Sequence, residues 1–157
     1  MKIAIFSVGK ANEKNLEEGI KLYSDRISHY YPLQWEIIPP PRHAGKMEES
    51  ELKWEEGRQI LSRLQSGDYL ILLDERGKLL SSPDVAKMIA QKANQGMSKL
   101  VFLIGGAYGV SEDVKARAQF IWSLSPLVFP HMLVRLILSE QLYRACTILR
   151  NEKYHHS

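Results

Sequence analysis

The sequence predicts an α/β fold built on a mostly parallel sheet flanked by helices. Short apolar segments alternate with longer segments whose apolar residues recur at helical spacing, and this alternation is typical of such a sheet. Two of the apolar segments, 69–73 and 100–104, are unbroken hydrophobic runs, as expected for strands buried on both faces. With 157 residues, 45% of them hydrophobic, the chain fits one domain. We expect residues 1–157 to form it.

The first half of the chain predicts two strands with a helix between them. Residues 3–8 are apolar and end at a glycine, which indicates a first strand. Asn12 can cap a helix that runs to about residue 28, because apolar residues recur within it at spacings of four, three and four. Residues 33–38 form the second predicted strand, which three prolines end. The following loop, 42–46, has no apolar period, so we expect it to be mobile.

The second half repeats the alternation. A helix is predicted between Ser50 and Leu64, before strand 69–73, and the polar residues 74–77 are predicted to turn out of that strand. Ser82-Pro83 predicts the start of another helix, since proline is tolerated in a first turn. The remaining predicted elements are a strand at 100–104, a short helix capped by Ser111, a strand at 120–124 and a last helix from His131 to about Arg150.

Composition and charge exclude several classes of protein. No apolar run is long enough to span a membrane, and the N-terminal segment has the pattern of a strand rather than of a signal peptide. The single cysteine, Cys146, excludes an intrachain disulfide and fits a reducing cytoplasm. Residues 70–157 carry 11 Lys and Arg against 7 Asp and Glu, which weakly favours an anionic partner. No metal-ligand spacing and no serine or cysteine nucleophile motif occurs, so we expect no metal.

Candidate binding residues follow the predicted strands. Ligands of open parallel sheets bind beyond the carboxyl ends of the strands, where Asp74, Gly105 and Ser125 lie. The first strand–helix turn has one glycine, so it contains neither a dinucleotide fingerprint nor a phosphate loop. Gly105-Gly106 can adopt positive φ and leaves space without a Cβ atom. A tight turn alone would explain one glycine, and the second favours close approach of a ligand.

The apolar loop 124–130 is unusual because its two prolines remove N–H donors and disfavour helical angles in the residues before them. Such a loop at a strand end leaves backbone groups in need of partners, and a buried purine-like ring could supply them. The alternative is that Leu127 and Phe129 simply pack into the core. Both explanations can hold together.

The last helix and the C-terminal tail carry the remaining candidates. His131 and Arg135 lie one turn apart on one face, and a lone histidine is as often structural as functional. Arg135 lies among apolar residues, so it requires an anionic ligand or an internal partner, and Glu140 is the obvious partner. Tyr154 offers a stacking ring and His155 a hydrogen-bond donor, although composition alone would make the tail disordered.

Four motifs then carry a resemblance to a known family. They are Leu-Ile-Gly-Gly-x-x-Gly at 103–109, Trp-Ser-Leu-Ser-x-Leu-x-x-Pro-His-x-Leu-x-Arg at 122–135, Glu-Gln-Leu-Tyr-Arg-Ala at 140–145 and the terminal Tyr154-His155. Together they resemble the large-subunit ribosomal RNA pseudouridine N3-methyltransferase H family of the SPOUT class, and the likeness extends along the whole chain. The resemblance implies a homodimer that takes a methyl group from S-adenosylmethionine and places it on N3 of a pseudouridine in 23S rRNA of the assembled ribosome. It implies a cytoplasmic enzyme without membrane contact and a C-terminal deep trefoil knot, which connection rules alone would not predict.

The resemblance also assigns residues. His131, Arg135, Tyr154 and His155 are implied to be catalytic, and Arg135 would stabilise the oxygen of the deprotonated base. Which of His131, Tyr154 and His155 takes the N3 proton stays open, as does which subunit's tail completes each site. The implied methyl-donor pocket consists of Leu73, Gly105, Gly106, Leu124, Ser125, Pro126, Leu127, Val128, Phe129 and Pro130.

Two alternative functions and one difference from the family's C-terminal motif stay open. A non-catalytic nucleotide-binding module could use the same glycine turn, and a methyltransferase of the same knotted class could act on transfer RNA. The family usually ends in Tyr-His-Arg, whereas His156 stands in the arginine position here, so a contact with RNA there could depend on pH. The loop 42–46 is a further hypothetical contact with RNA.

Overall fold

The computed structural model describes residues 1–10 and 13–156, and its centre is a five-stranded sheet in which every strand pair is parallel. The strand order is β2-β1-β4-β3-β5. The strands are β1 (Lys2–Val8), β2 (Leu33–Ile38), β3 (Tyr69–Leu79), β4 (Lys99–Ile104) and β5 (Phe120–Ser123). The helices are α1 (Lys14–Ile27), α2 (Glu49–Ser62), α3 (Ser82–Asn94), α4 (Glu112–Arg117) and α5 (His131–Leu149). The predicted parallel α/β fold is confirmed.

Alternate residues of the strands face two separate cores. On one side of the sheet Ile3, Ile5 and Phe102 pack against α1, α3 and α5. On the other side Phe6 and Leu103 pack against α2 and α4. Because strands alternate their side chains between faces, the unbroken apolar runs of the sequence serve both cores at once.

Helix boundaries follow local chemistry where the structure describes them. Ser81 caps α3: its hydroxyl accepts from the backbone N–H of Asp84, whose carboxylate accepts from the N–H of Ser81. This reciprocal capping box confirms the predicted helix start. Ser111 caps α4 as expected. The predicted cap Asn12 lies outside the described residues.

The predicted turn at 74–77 is wrong, since β3 continues to Leu79. Trp122 of β5 pairs with both Leu73 and Lys78, so residues 74–77 form an insertion within the strand pairing. Gly77 makes the close pairing possible, because a Cβ atom there would lie 2.7 Å from the backbone of Ile121. This pairing is long-range, and local turn chemistry gives no sign of it.

The loop between β2 and α2 contains a short helical turn. Residues Ala44–Lys46 form a single 3₁₀ turn, with His43 at a φ of 60° before it, inside the loop predicted to lack regular structure. Among the described residues no helix is long and apolar enough to cross a membrane.

Candidate functional site

A cavity of about 710 Å³ opens at the carboxyl edge of the sheet. Its walls come from the ends of β1, β3 and β4, from the segment 104–110 and from the loop 124–130 with the start of α5. This is the position at which open parallel sheets bind ligands. The volume lies within the range of small-molecule sites.

Most residues predicted to bind a donor lie together around this cavity. Nine of the ten line it, and Pro126 alone is outside the lining. The nine are Leu73, Gly105, Gly106, Leu124, Ser125, Leu127, Val128, Phe129 and Pro130. Their common location supports one binding site, and their contact with a ligand stays a prediction.

The glycine turn, residues 105–109, has a different backbone conformation from the one that its sequence suggests. Neither Gly105 nor Gly106 has positive φ, and Gly109 supplies that conformation at a φ of 83°. A Cβ atom on Gly105 would lie 2.8 Å from Cγ1 of Val110, and one on Gly106 would lie 2.6 Å from Oε1 of Glu56. Atoms of the protein itself therefore crowd both glycine positions, while the glycine backbone still faces the cavity.

The loop 124–130 leaves most of its backbone groups without a hydrogen-bond partner among the described residues, as its sequence suggests. Residues 124–129 form no backbone–backbone hydrogen bond with another described residue. Only the Ser123 and Ser125 hydroxyls bond within the loop: Ser123 Oγ donates to the carbonyl of Ser125, and Leu127 N–H donates to Ser125 Oγ. Leu127 is 67% exposed and Val128 78% exposed, so the alternative that Leu127 packs into the core is wrong.

His131 lines the cavity at the first residue of α5. Its Nε2 atom lies 3.3 Å from the carbonyl oxygen of Lys10. A carbonyl can only accept, so this contact places the proton on Nε2 and leaves Nδ1 as an acceptor. In this tautomer Nδ1 is an acceptor without a hydrogen-bond partner among the described residues.

Arg135 does not line the cavity, because it is buried with 1% of its surface exposed. Its Nε donates to Ser7 Oγ at 2.7 Å and its Nη2 to the Gly9 carbonyl at 2.8 Å, while Nη1 contacts the sulfur of Met132. The prediction that Glu140 is its partner is wrong. Burial lowers the pKa of the Arg135 guanidinium, and its contacts fix the carboxyl end of β1 beside His131.

Tyr154 and His155 lie away from the cavity of their own chain. Tyr154 donates to Glu140 Oε1 at 3.0 Å and packs on the ring of Tyr143, and Arg144 Nη1 lies 3.2 Å from His155 Nδ1. Burial, with hydrogen bonds to Tyr23 and Glu140, raises the Tyr154 pKa well above its ordinary value. The tail is thus held on α5, and the expectation of disorder from composition is wrong.

Glu140 and Arg144 anchor this tail. They form an ion pair one helical turn apart, in which Arg144 Nε also donates to Glu140 at 3.0 Å. The Arg144 guanidinium lies over the Tyr154 ring, 4.8 Å from its centroid. Such a stacked and paired arginine holds an aromatic residue in one orientation.

Three acidic residues line the cavity, Glu56, Asp74 and Glu75. None of them is among the predicted site residues, although the sequence placed Asp74 at the end of a buried strand. Glu56 projects from α2, and its position beside the apolar residue Ile60 was the available signal, since a charge on a buried helix face is rare. Asp74 follows the buried part of β3. Burial acts to raise its pKa, but hydrogen bonds from the Arg76 side chain and backbone outweigh this, and the pKa of Asp74 is lowered.

The fold and the cavity define a parallel α/β protein with a ligand site at a strand-end loop. The family model described as "Predicted SPOUT methyltransferase" matches residues 1–155. The chain therefore belongs to the SPOUT methyltransferase family.

Curated relatives extend over the same length. Proteins named ribosomal RNA large subunit methyltransferase H are 47% identical to the chain in Christiangramia forsetii and 42% identical in Desulfitobacterium hafniense, each alignment covering 99% of both chains. A solved structure, a probable methylase family protein from Haemophilus influenzae, aligns with a TM-score of 0.55 at 12% identity, covering 99% of this chain and 70% of that one. At that identity the structural match supports the fold alone.

Proposed function

We propose that this protein transfers a methyl group from S-adenosylmethionine to N3 of a pseudouridine in large-subunit ribosomal RNA. The observation that carries the proposal is the cavity at the carboxyl edge in a chain of the SPOUT methyltransferase family. The loop that borders it has no backbone–backbone hydrogen bond from residues 124–129 to other described residues. The names of full-length relatives point to large-subunit ribosomal RNA. The choice of pseudouridine N3 rests on the motif resemblance.

The residues present fit such a donor. An adenine ring needs apolar surface and hydrogen-bonding partners along its edge, and the loop 124–130 combines Leu124 and Phe129 with unpaired backbone groups. The free backbone of the loop and the cavity volume are the features that support the fit. When bound, S-adenosylmethionine would supply a methyl group made electrophilic by its sulfonium sulfur.

The chain's own residues would position the acceptor and remove its proton. The N3 atom of the base carries a proton, and this proton must leave as N3 forms its bond to the methyl carbon. His131 is the best placed of the three candidate bases, because it lines the cavity and its Nδ1 has no hydrogen-bond partner among the described residues. The raised pKa keeps Tyr154 protonated, and His155 uses Nδ1 to accept from Arg144. Arg135 would act as a positioning residue that fixes Gly9 beside His131.

We also propose that the protein acts as a homodimer in the cytoplasm, where ribosomes are found, with residues 1–157 as its single domain. Tyr154 and His155 lie outside their own cavity. If these residues meet the target base, they would do so in the cavity of a second copy. This arrangement assigns the tail to the partner's site and leaves His131 in each chain's own site.

Calorimetric titration with S-adenosylmethionine, followed by a methylation assay, tests the proposal. We expect saturable binding, and methyl transfer to ribosomes isolated from a strain that lacks the protein. Nucleoside analysis of the product should give N3-methylpseudouridine. Absence of donor binding would favour a non-catalytic nucleotide-binding module, and methylation of transfer RNA instead of ribosomes would move the activity to another substrate.

A further inference from the structure

A carboxylate of the cavity lining forms no ion pair with another described residue. Glu56 is 7% exposed and lines the cavity from α2. Its two oxygens lie 2.6 and 2.9 Å from the position that a Cβ atom of Gly106 would take. The carboxylate therefore lies directly against the backbone of the glycine turn.

The surroundings of Glu56 differ from those of Asp74, which also lines the cavity. Asp74 is neutralised by Arg76, which pairs with it at 3.2 Å. Burial raises the pKa of Glu56, with no hydrogen bond or charged group acting in the opposite direction. A buried ionisable group of this kind in a cavity is typical of a functional position, because a ligand that donates hydrogen bonds would stabilise its charged form.

Helix packing holds the carboxylate in this position. Gly57, the next residue of α2, packs against α4 so closely that a Cβ atom there would lie 2.6 Å from Ser111 Oγ. Ile60, one turn further, is buried in the same core. Since both neighbours on this helix face are fixed, the Glu56 side chain is directed towards the glycine turn.

We propose that Glu56 is a ligand-binding residue whose carboxylate accepts hydrogen bonds from the methyl donor bound against the glycine turn. The inference rests on the proposed function and adds a residue to it. With the adenine ring assigned to the loop 124–130, the donor's remaining N–H and O–H groups are the ribose hydroxyls and the ammonium of its methionine part. Both offer the same chemistry to a carboxylate, and experiment separates them.

The test is calorimetric binding to Glu56→Gln, Glu56→Ala and wild-type protein. Two probes are used: S-adenosylhomocysteine carries both the ribose and the ammonium, and 5′-methylthioadenosine carries only the ribose. Loss of a hydrogen bond to a charged group should raise the Kd by about tenfold or more. Glu51→Gln is the matched control, because Glu51 is exposed on the same helix, and it should bind like wild type. Circular dichroism of each variant checks its folding.

The results for the two probes show whether Glu56 binds the ribose hydroxyls or the ammonium. Weaker binding of both probes to the Glu56 variants assigns the carboxylate to the ribose hydroxyls, and weaker binding of S-adenosylhomocysteine alone assigns it to the ammonium. Folded Glu56 variants that bind both probes within twofold of wild type would overturn the inference while leaving the proposed function intact. Wild-type protein that binds neither probe nor S-adenosylmethionine would instead contradict the proposed function itself.

Discussion

Replacement of Gly106 by alanine tests the packing of the glycine turn most sharply. The new Cβ atom would lie 2.6 Å from Oε1, 2.9 Å from Oε2 and 3.1 Å from Cδ of Glu56. An ordinary contact begins at 3.4 Å, so the carboxylate would have to retreat by about 0.8 Å. Glu56 is 7% exposed, so its carboxylate can retreat only into the cavity that it lines. Overpacking of this kind costs about 1–3 kcal/mol of unfolding free energy.

The assay is chemical and thermal unfolding of four proteins: wild type, Gly106→Ala, Glu56→Ala and the double variant. In a chain of this length each kcal/mol corresponds to about 2–4 °C in Tm. We expect Gly106→Ala to lower the Tm by about 2–12 °C in the wild-type background. With alanine at position 56 the same substitution should cost little, because the obstructing carboxylate is gone, and the double-mutant cycle should give a coupling energy of about 1 kcal/mol or more.

Gly67→Ala provides the control for the general effect of alanine on the unfolded chain. No atom of the described residues lies within 4 Å of a Cβ atom at Gly67, and alanine at a compatible glycine position stabilises by about 0.4–1 kcal/mol. An equal cost of Gly106→Ala with and without the Glu56 carboxylate would refute the packing explanation.

Three other predictions follow from buried groups. Arg135→Lys should lower the unfolding free energy by about 1.5–3 kcal/mol in urea titrations. The reason is that one ammonium cannot replace the guanidinium contacts with both Ser7 and Gly9. A loss below about 0.5 kcal/mol would contradict these contacts. Burial raises the pKa of Glu56 above 4.5, so wild-type stability should fall as pH rises through the native pKa. Glu56→Gln should therefore gain stability relative to wild type across that window, and a constant difference would argue against the burial. Burial raises the pKa of Cys146 to about 12, so the native thiol should resist iodoacetamide at pH 8 and react after unfolding, whereas rapid native labelling would be inconsistent with its place in the core.

The order of strands and helices could be predicted because its signals are local. The apolar run at 100–104 and the proline of Ser82-Pro83 in a first helical turn each indicate their element without knowledge of the rest of the fold. The continuation of β3 to Leu79 could not be predicted in this way. It depends on pairing with β5, some 45 residues later, and on the space that Gly77 leaves for Ile121.

The side-chain partners of the site show the same limit. Arg135 and Glu140 are close in sequence, but five residues rotate a helix by about 140° beyond a full turn, so the two side chains leave different faces. Glu140 instead pairs with Arg144 at the i,i+4 spacing. Arg135 finds Ser7 and Gly9 at the end of the first strand, and only the assembled fold brings them together.

The position of the tail also depended on tertiary contacts. Its polar composition suggests disorder, yet Tyr30 donates to Glu152 at 2.7 Å and Tyr154 to Glu140 at 3.0 Å. Both tyrosines pack on Tyr143. A cluster of this kind combines residues from three parts of the chain, so the order it confers has no local signature.

Mass spectrometry of large-subunit ribosomal RNA tests the central proposal most directly. Nucleosides from the parent strain would be compared with those from a strain in which the gene is deleted and from one in which it is restored. The proposal predicts that N3-methylpseudouridine disappears on deletion, that unmethylated pseudouridine takes its place, and that the methyl group returns with the gene. An unchanged methylation state of that pseudouridine in the deletion strain would contradict the proposal.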